Sequence, residues 1–91
     1  MPIKIRIPTP LRAFTAGQDT AEVAGNTVGE VLTALINRYQ GMDKRLFKQP
    51  GELNRFVNVY LNDEDIRFLD NLNTPIKESD TLSIVPAIAG G

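Results

Sequence analysis

Apolar and polar residues alternate in several short stretches of this chain, a period-two pattern that predicts β-strands with one buried face. In the clearest case, Ile3, Ile5 and Ile7 alternate with charged residues before Pro8 and Pro10 end the pattern. β-Branched residues at every second position favour a half-buried strand. The strands predicted in this way cover residues 3–7, 20–24, 56–61, 65–68 and 81–85.

One stretch has a helical period instead. Thr27 and Glu30 have the spacing of a capping box, in which the threonine hydroxyl accepts the N–H of Glu30 and the glutamate side chain reaches back toward the helix start. Apolar residues then recur at intervals of three and four, which predicts an amphipathic helix over 28–40. Gly41 stands where a left-handed C-cap is expected. The predicted apolar face consists of Val28, Val31, Leu32, Leu35, Ile36 and Tyr39.

The connecting segments are less patterned, and we expect each to be held by a few apolar anchors. A short turn follows Pro10, and one helical turn is predicted within 42–47. Proline and glycine signal a turn at 49–52, and a loop is expected over 69–78. The expected anchors are Leu11, Phe14, Met42, Leu46, Phe47, Leu72 and Ile76.

The element order β-β-α-β-β-β predicts an α+β fold. Because the helix and each strand have one apolar face, the helix is expected to lie across one side of a mixed five-stranded sheet. The first and last strands are expected to lie parallel at its centre. The 91 residues are enough for one domain with a modest core. We divide the chain into this domain, residues 1–86, and a flexible tail, residues 87–91.

The tail has the sequence Ala87-Ile88-Ala89-Gly90-Gly91 and carries no charged side chain. Pro86 lacks an N–H, so it marks the point where the last strand leaves the sheet. Fully extended, five residues span about 16 Å. A segment this slim can enter a narrow channel and present its terminal carboxylate to another protein's chemistry. The alternatives are a frayed end, which is common at termini, and a linker scar.

Composition excludes several kinds of chemistry. The chain has neither cysteine nor histidine, which removes disulfides, thiolate nucleophiles, the usual zinc ligands and the commonest general base. A net charge of −1 argues against nucleic acid as a partner, and no stretch approaches the roughly 20 apolar residues of a membrane span. The acidic cluster 63–65 lacks the spacing of a calcium loop and is expected to be a solvated turn. We therefore expect a cytoplasmic, non-enzymatic protein with no metal site and no bound cofactor.

A docking patch is expected on the sheet face away from the helix. Tyr60 and Val85 should lie near each other on that face, with Lys4 and Arg6 alongside. An exposed aromatic residue beside an exposed aliphatic one suits recognition of a partner. Isolated surface hydrophobic residues are common, however, and the docking interpretation is favoured because the patch adjoins the tail.

The whole chain resembles the ubiquitin-like (β-grasp) sulfur-carrier family, which includes the molybdopterin synthase small subunit and the thiamine thiazole sulfur carrier. The resemblance lies in the element order, the capped helix, the Asn62 turn, the 80–82 entry to the last strand and the Pro86-to-Gly91 exit. Residues 56–68 and 85–91 look closest to the sulfur carrier of thiocarboxylate-dependent cysteine biosynthesis. Molybdopterin-type tails usually carry a second proline where this chain has alanine.

This resemblance implies a chemistry for the tail. An E1-like activating enzyme would use ATP to adenylate the Gly91 carboxylate, and a sulfur donor would then displace AMP to leave a thiocarboxylate. In the cysteine pathway that sulfur attacks an activated serine on a synthase that uses pyridoxal phosphate, and a metallopeptidase releases the product. Gly90, Ala89, Ile88 and Ala87 would thread the partner's active site.

Other functions stay open at this point. The chain could be the small subunit of a molybdopterin synthase, inserting its tail into the large subunit. It could instead be a ubiquitin-like modifier that is joined to lysine residues, or a binding module whose tail is inert.

Overall fold

Two strands from opposite ends of the chain lie side by side and parallel at the centre of the sheet. In the computed structural model, which describes residues 2–49, 52–54 and 57–86, β1 (Pro2–Arg6) pairs with β7 (Thr81–Pro86) through Lys4 opposite Thr81 and Arg6 opposite Ser83. The sheet also contains β2 (Thr20–Ala24), β5 (Val57–Leu61) and β6 (Glu64–Asp65). The other neighbours are antiparallel, and the strand order is β2-β1-β7-β5-β6. The predicted mixed five-stranded sheet is confirmed.

The regular elements follow one another along the described chain with short connections. The strands are β1 (Pro2–Arg6), β2 (Thr20–Ala24), β3 (Phe47–Gln49), β4 (Glu52–Leu53), β5 (Val57–Leu61), β6 (Glu64–Asp65) and β7 (Thr81–Pro86). The α-helices are α1 (Val28–Arg38) and α2 (Asp43–Leu46), and 3₁₀ helices cover Thr9–Thr15, Ile66–Phe68 and Asn71–Asn73.

The period-two pattern places one row of side chains from each central strand in the core. Ile5 lies opposite Ala21 on one side and Leu82 on the other, and all three are buried. Helix α1 covers this face with four buried residues of its predicted apolar stripe, Val28, Val31, Leu32 and Leu35. The opposite face of the sheet, called here the open face, is therefore left free of the helix.

The start of α1 is anchored both locally and from a distance. The N–H of Glu30 donates to the Thr27 hydroxyl at 3.2 Å, and the Glu30 carboxylate accepts the N–H of Asn26 at 3.1 Å. The N–H of Val28 donates to the carbonyl of Thr74 at 2.9 Å, and the N–H of Ile76 donates to the carbonyl of Asn26 at 3.0 Å. The predicted threonine cap is thus present, but Glu30 reaches back to Asn26, the residue before the cap, rather than to Thr27. The loop before β7 is tied to the same helix start.

The predicted end of helix α1 is wrong. Helix α1 ends at Arg38 rather than at residue 40, because Tyr39 is extended with φ −120° and packs against the core. Gly41 does take a positive φ of 91°, but it turns the chain after the helix has ended. There a β-carbon would lie 3.1 Å from the ring of Phe14.

The strand predicted over 65–68 is also wrong in most of its length. Strand β6 is only Glu64–Asp65, and a 3₁₀ helix follows over Ile66–Phe68. The cause is local, because the Asp65 carboxylate accepts the N–H of Arg67 at 2.9 Å. This bond offers the backbone an alternative to the strand ladder.

The segment after α1 holds a feature that the sequence pattern did not predict. The helical turn expected within 42–47 is present as α2, with Met42 and Leu46 buried. A small two-stranded sheet of β3 and β4 then follows, and it is separate from the main sheet. Residues 50 and 51 of the predicted turn lie outside the described part of the chain.

Candidate docking surface and tail

The four residues predicted to form the docking patch lie on the open face. Arg6 is opposite Ser83 on β7, and Ser83 is opposite Tyr60 on β5. Val85 is opposite Asn58, two residues along β5 from Tyr60. Because directly opposed residues share a face and residues two apart along a strand do so too, Lys4 joins this set. Buried Ile84 points the other way, into the core.

A depression of about 760 Å³ spans the four patch residues. Its lining includes polar residues that sequence reasoning did not assign to the site, namely Arg12, Thr20, Thr81 and Ser83. The alternation of β7 already places Thr81 and Ser83 outward, so their inclusion was available from the pattern. The pattern gave no indication of the position of Arg12, because that position depends on the 3₁₀ helix after Pro8. There the Arg12 Nε donates to the carbonyl of Ile7 at 3.1 Å.

The β1 side of the open face carries two cationic side chains that form no ion pair in the described residues, and Glu22 of β2 lies opposite Lys4. Lys4 and Arg6 are exposed, and within the described ranges neither side chain makes a hydrogen bond or an ion pair. Asp19 and Asp63 also line the depression, which otherwise holds three cationic side chains. A surface of this kind attracts acidic groups, although salt screens the attraction between exposed charges.

At the β6 end of this face, two oppositely charged side chains pair with each other. Arg67 forms an ion pair with Asp65, with 2.7 Å between Nη2 and Oδ2, and its Nε lies 3.2 Å from both carboxylate oxygens. The hydrogen bonds from the Arg67 side chain hold the pKa of Asp65 below its usual value. Asp65 is opposite Tyr60, so this pair closes the end of the row that begins at Arg6.

Two large apolar side chains are exposed in the described part of the chain. Val85 is 41% exposed on the open face, and Phe68 is 82% exposed at the end of the 3₁₀ helix after β6. Val85 was predicted as a patch residue. Phe68 was missed, because a strand over 65–68 gave no reason to single it out.

The tail is attached beside the patch. Pro86, the last residue of β7, pairs with Val57 and directly follows Val85. The predicted tail residues, Ala87, Ile88, Ala89, Gly90 and Gly91, lie outside the described residues. Their role and the division of the chain at residue 86 therefore stay predictions.

Other parts of the described structure offer less. A depression of about 1000 Å³ lies between α1 and the β3 hairpin, but none of the predicted site residues lines it. Over residues 2–49, 52–54 and 57–86, no group of three acidic side chains is placed to hold a metal ion. In the same ranges no helix has the length and apolar character needed to cross a membrane.

Known proteins resemble this chain over its whole length. The model of the ThiS family matches residues 5–91. Sulfur carrier protein CysO of Mycobacterium tuberculosis is 45% identical over 93 aligned residues, which cover 100% of both chains. Small archaeal modifier protein 3 of Haloferax volcanii is 38% identical over 65 residues, 71% of this chain and 70% of the relative.

A solved structure is also similar to this chain. A chain of the Amycolatopsis orientalis BexX/CysO complex superposes with a TM-score of 0.89 at 45% identity. The match covers 98% of this chain and 99% of that one.

Proposed function

The chain belongs to the ThiS family and is a sulfur carrier protein, and we propose that it carries sulfur as a thiocarboxylate at Gly91 for the synthesis of cysteine. The predicted family and the predicted β-grasp fold are confirmed. The observation that carries the proposal is the 45% identity to the sulfur carrier CysO over the full length of both chains.

The proposed chemistry acts on the backbone terminus. A carboxylate is a poor electrophile, so an E1-like enzyme first joins its oxygen to the α-phosphorus of ATP and pyrophosphate leaves. A sulfur nucleophile then attacks the acyl carbon and AMP leaves. Glycine suits both steps, because it has no β-carbon to collide with channel walls and accepts a wide range of backbone angles. Since the activation consumes ATP, we place the carrier in the cytoplasm and regard it as a co-substrate rather than an enzyme.

The open face has a matching role in this proposal. Lys4, Arg6, Tyr60 and Val85 would dock the activating enzyme, so that the tail reaches the adenylation site as a tethered group. Tethering raises the effective concentration of the tail at that site. An extended tail can then be bound through its backbone without recognition of individual side chains.

The acceptor of the sulfur defines the pathway. In the proposed reaction the thiocarboxylate sulfur bonds to the β-carbon of an activated serine, held by an enzyme that uses pyridoxal phosphate, and the activating group leaves. A metallopeptidase would then hydrolyse the bond that joins the cysteinyl product to the Gly91 acyl carbon. The alternative acceptor is a pterin held by the large subunit of a molybdopterin synthase. The two differ in the partner that consumes the loaded carrier, so transfer assays with each enzyme separate them.

A second candidate function is favoured by one comparison. The 38% identity to small archaeal modifier protein 3 supports conjugation of the Gly91 carboxylate to lysine residues. Conjugation would use the same acyl adenylate but pass the acyl group to an amine. Isopeptide remnants on lysine residues of cellular proteins would support this function.

Intact-mass spectrometry tests the site directly. After incubation with the activating enzyme, ATP and a sulfur source, we expect a mass gain equal to the replacement of one oxygen by sulfur. A variant that lacks Gly91 should show no gain while keeping the thermal unfolding curve of the unmutated chain. Sulfur loading of the truncated variant would contradict the assignment of Gly91.

A further inference from the structure

We propose that Phe68 is a second anchor for the activating enzyme, inserted into an apolar pocket of that partner while carboxylates of the partner face Lys4 and Arg6. This inference rests on the proposed function. Activation precedes sulfur transfer, whichever enzyme holds the acceptor. The activating enzyme is therefore the partner that every version of the proposed function requires.

The exposure of Phe68 is the first observation. Its side chain is 82% exposed, whereas its near neighbour Ile66 is 1% exposed and holds the segment in the core. A phenylalanine left this open contributes little to its own fold. Covered by a partner, it removes a large apolar area from water, which is the usual character of a binding hot spot.

The position of Phe68 is the second observation. Strand β6 runs antiparallel to β5, with Glu64 opposite Leu61 and Asp65 opposite Tyr60. Ile66 and Arg67, which follow β6, line one depression together with Val57 and Asn58 of β5. Val57 pairs with Pro86, so Phe68 follows a segment that leads to the end of the sheet where the tail begins.

The segment that carries Phe68 is also held in place. The N–H of Arg67 donates to the Asp65 carboxylate at 2.9 Å, and the N–H of Leu69 donates to the carbonyl of Ile66 at 2.9 Å. These bonds flank Phe68 on both sides. A side chain presented on an ordered backbone costs less entropy to bind than one on a mobile loop.

Charge divides the surface into two parts. Lys4 and Arg6, on β1, have no partner within the described residues, whereas Arg67, next to Phe68, is paired with Asp65. The row from Arg6 through Ser83 and Tyr60 therefore begins at cationic side chains that form no ion pair and ends at the Asp65–Arg67 pair. A partner that matches both parts carries acidic groups opposite β1 and an apolar pocket beyond β5, which fixes its orientation on the sheet.

Calorimetric titration of the activating enzyme at low and high salt tests both parts. We expect Phe68→Ser to weaken binding about tenfold or more and to leave its salt dependence unchanged, while Phe68→Leu keeps most of the affinity. The double variant Lys4→Glu, Arg6→Glu should weaken binding at low salt and reduce the salt dependence. The double variant Lys44→Glu, Lys48→Glu, which reverses two charges on the helix side, is the matched control and should change neither the affinity nor its salt dependence.

The possible outcomes separate this inference from the proposed function. Sulfur loading of the unmutated chain is measured in parallel, and its absence would contradict the proposed function itself. If the unmutated chain loads and Phe68→Ser binds the activating enzyme equally well, the anchor is wrong. If Phe68→Ser loads normally but fails to transfer sulfur, Phe68 contacts the acceptor enzyme instead. If Phe68→Ser loses self-association in sedimentation, Phe68 contacts a second copy of the chain. Either result overturns the proposal. Unfolding curves should show that Phe68→Ser stays as stable as the unmutated chain.

Discussion

The side-chain amide of Asn62 donates a 2.8 Å hydrogen bond to the Asp80 carboxylate, 18 positions along the chain. The Asn62 side-chain oxygen also accepts the N–H of Thr81 at 2.9 Å, and the Asn62 N–H donates to the Thr81 carbonyl at 2.9 Å. These bonds join the β5–β6 turn to the first residue of β7. The turn therefore helps to position the strand that carries Val85 and leads to the tail.

Asn62→Ala should destabilise the domain by about 2 kcal/mol, because it removes two side-chain hydrogen bonds and places alanine at a φ of 51°. Asn62→Gly removes the same bonds but tolerates the positive φ, so it should cost less. Urea unfolding measures both. Asn37→Ala, at an exposed position of α1, is the control. Equal stability of Asn62→Ala and the unmutated chain would show that the Asn62 side-chain hydrogen bonds do not stabilise the fold.

Acid should weaken the same hydrogen bonds between the β5–β6 turn and the start of β7. The N–H of Lys77 and then the amide of Asn62 hydrogen-bond the Asp80 carboxylate and hold its pKa below the ordinary value. A carboxylate whose pKa is lower in the folded state stabilises the fold above its unfolded pKa of about 3.9, and that contribution is lost as pH falls through the folded pKa. We expect the free energy of unfolding to decline as the pH falls below about 4. Asp80→Asn should be less stable at neutral pH, and its free energy of unfolding should decline less in acid. If it declines as much as that of the unmutated chain, Asp80 is not the group responsible.

Thr27→Ala should lower the free energy of unfolding by about 1 kcal/mol, since the N–H of Glu30 loses the Thr27 hydroxyl as its acceptor. Thr27→Ser keeps the acceptor and should recover most of the loss. Thr33→Ala, on the exposed side of the same helix, controls for helix propensity. If the Thr27 and Thr33 variants unfold at the same denaturant concentration, the cap contributes nothing measurable.

Substitutions at two neighbouring residues of β7 should affect different properties, namely stability at Ile84 and partner binding at Val85. Ile84 is 3% exposed in the core, so Ile84→Ala should cost about 3 kcal/mol of stability, and Ile84→Asp should unfold the domain by burying an unpaired charge. Val85→Asp should keep the fold and weaken binding of the activating enzyme, as should Tyr60→Ala. Circular dichroism and calorimetric titration distinguish the two classes. Unchanged affinity of both surface variants would remove the patch from the proposed function.

The sequence by itself determined which face each main strand buries and where the main helix begins. Side chains alternate across any strand, whatever its partners, so Ile3, Ile5 and Ile7 were predicted correctly as a buried row. The capping box is equally local, since Thr27 and Glu30 lie within one helical turn. The family was recognised from features spread along the whole chain, whereas the chemistry of the tail and the role of Gly91 stay predictions.

Only the tertiary structure decided what depends on contacts between distant residues. The end of α1 at Arg38 follows from the packing of Tyr39, and the position of Arg12 in the depression follows from the fold of the segment after β1. The register that aligns Arg6, Ser83 and Tyr60 joins three strands that are far apart in the chain. The exposure of Phe68 depends on the turn that Asp65 and Arg67 stabilise. A periodic pattern records which way a side chain points, but it does not contain the partners that cover that side chain or leave it open.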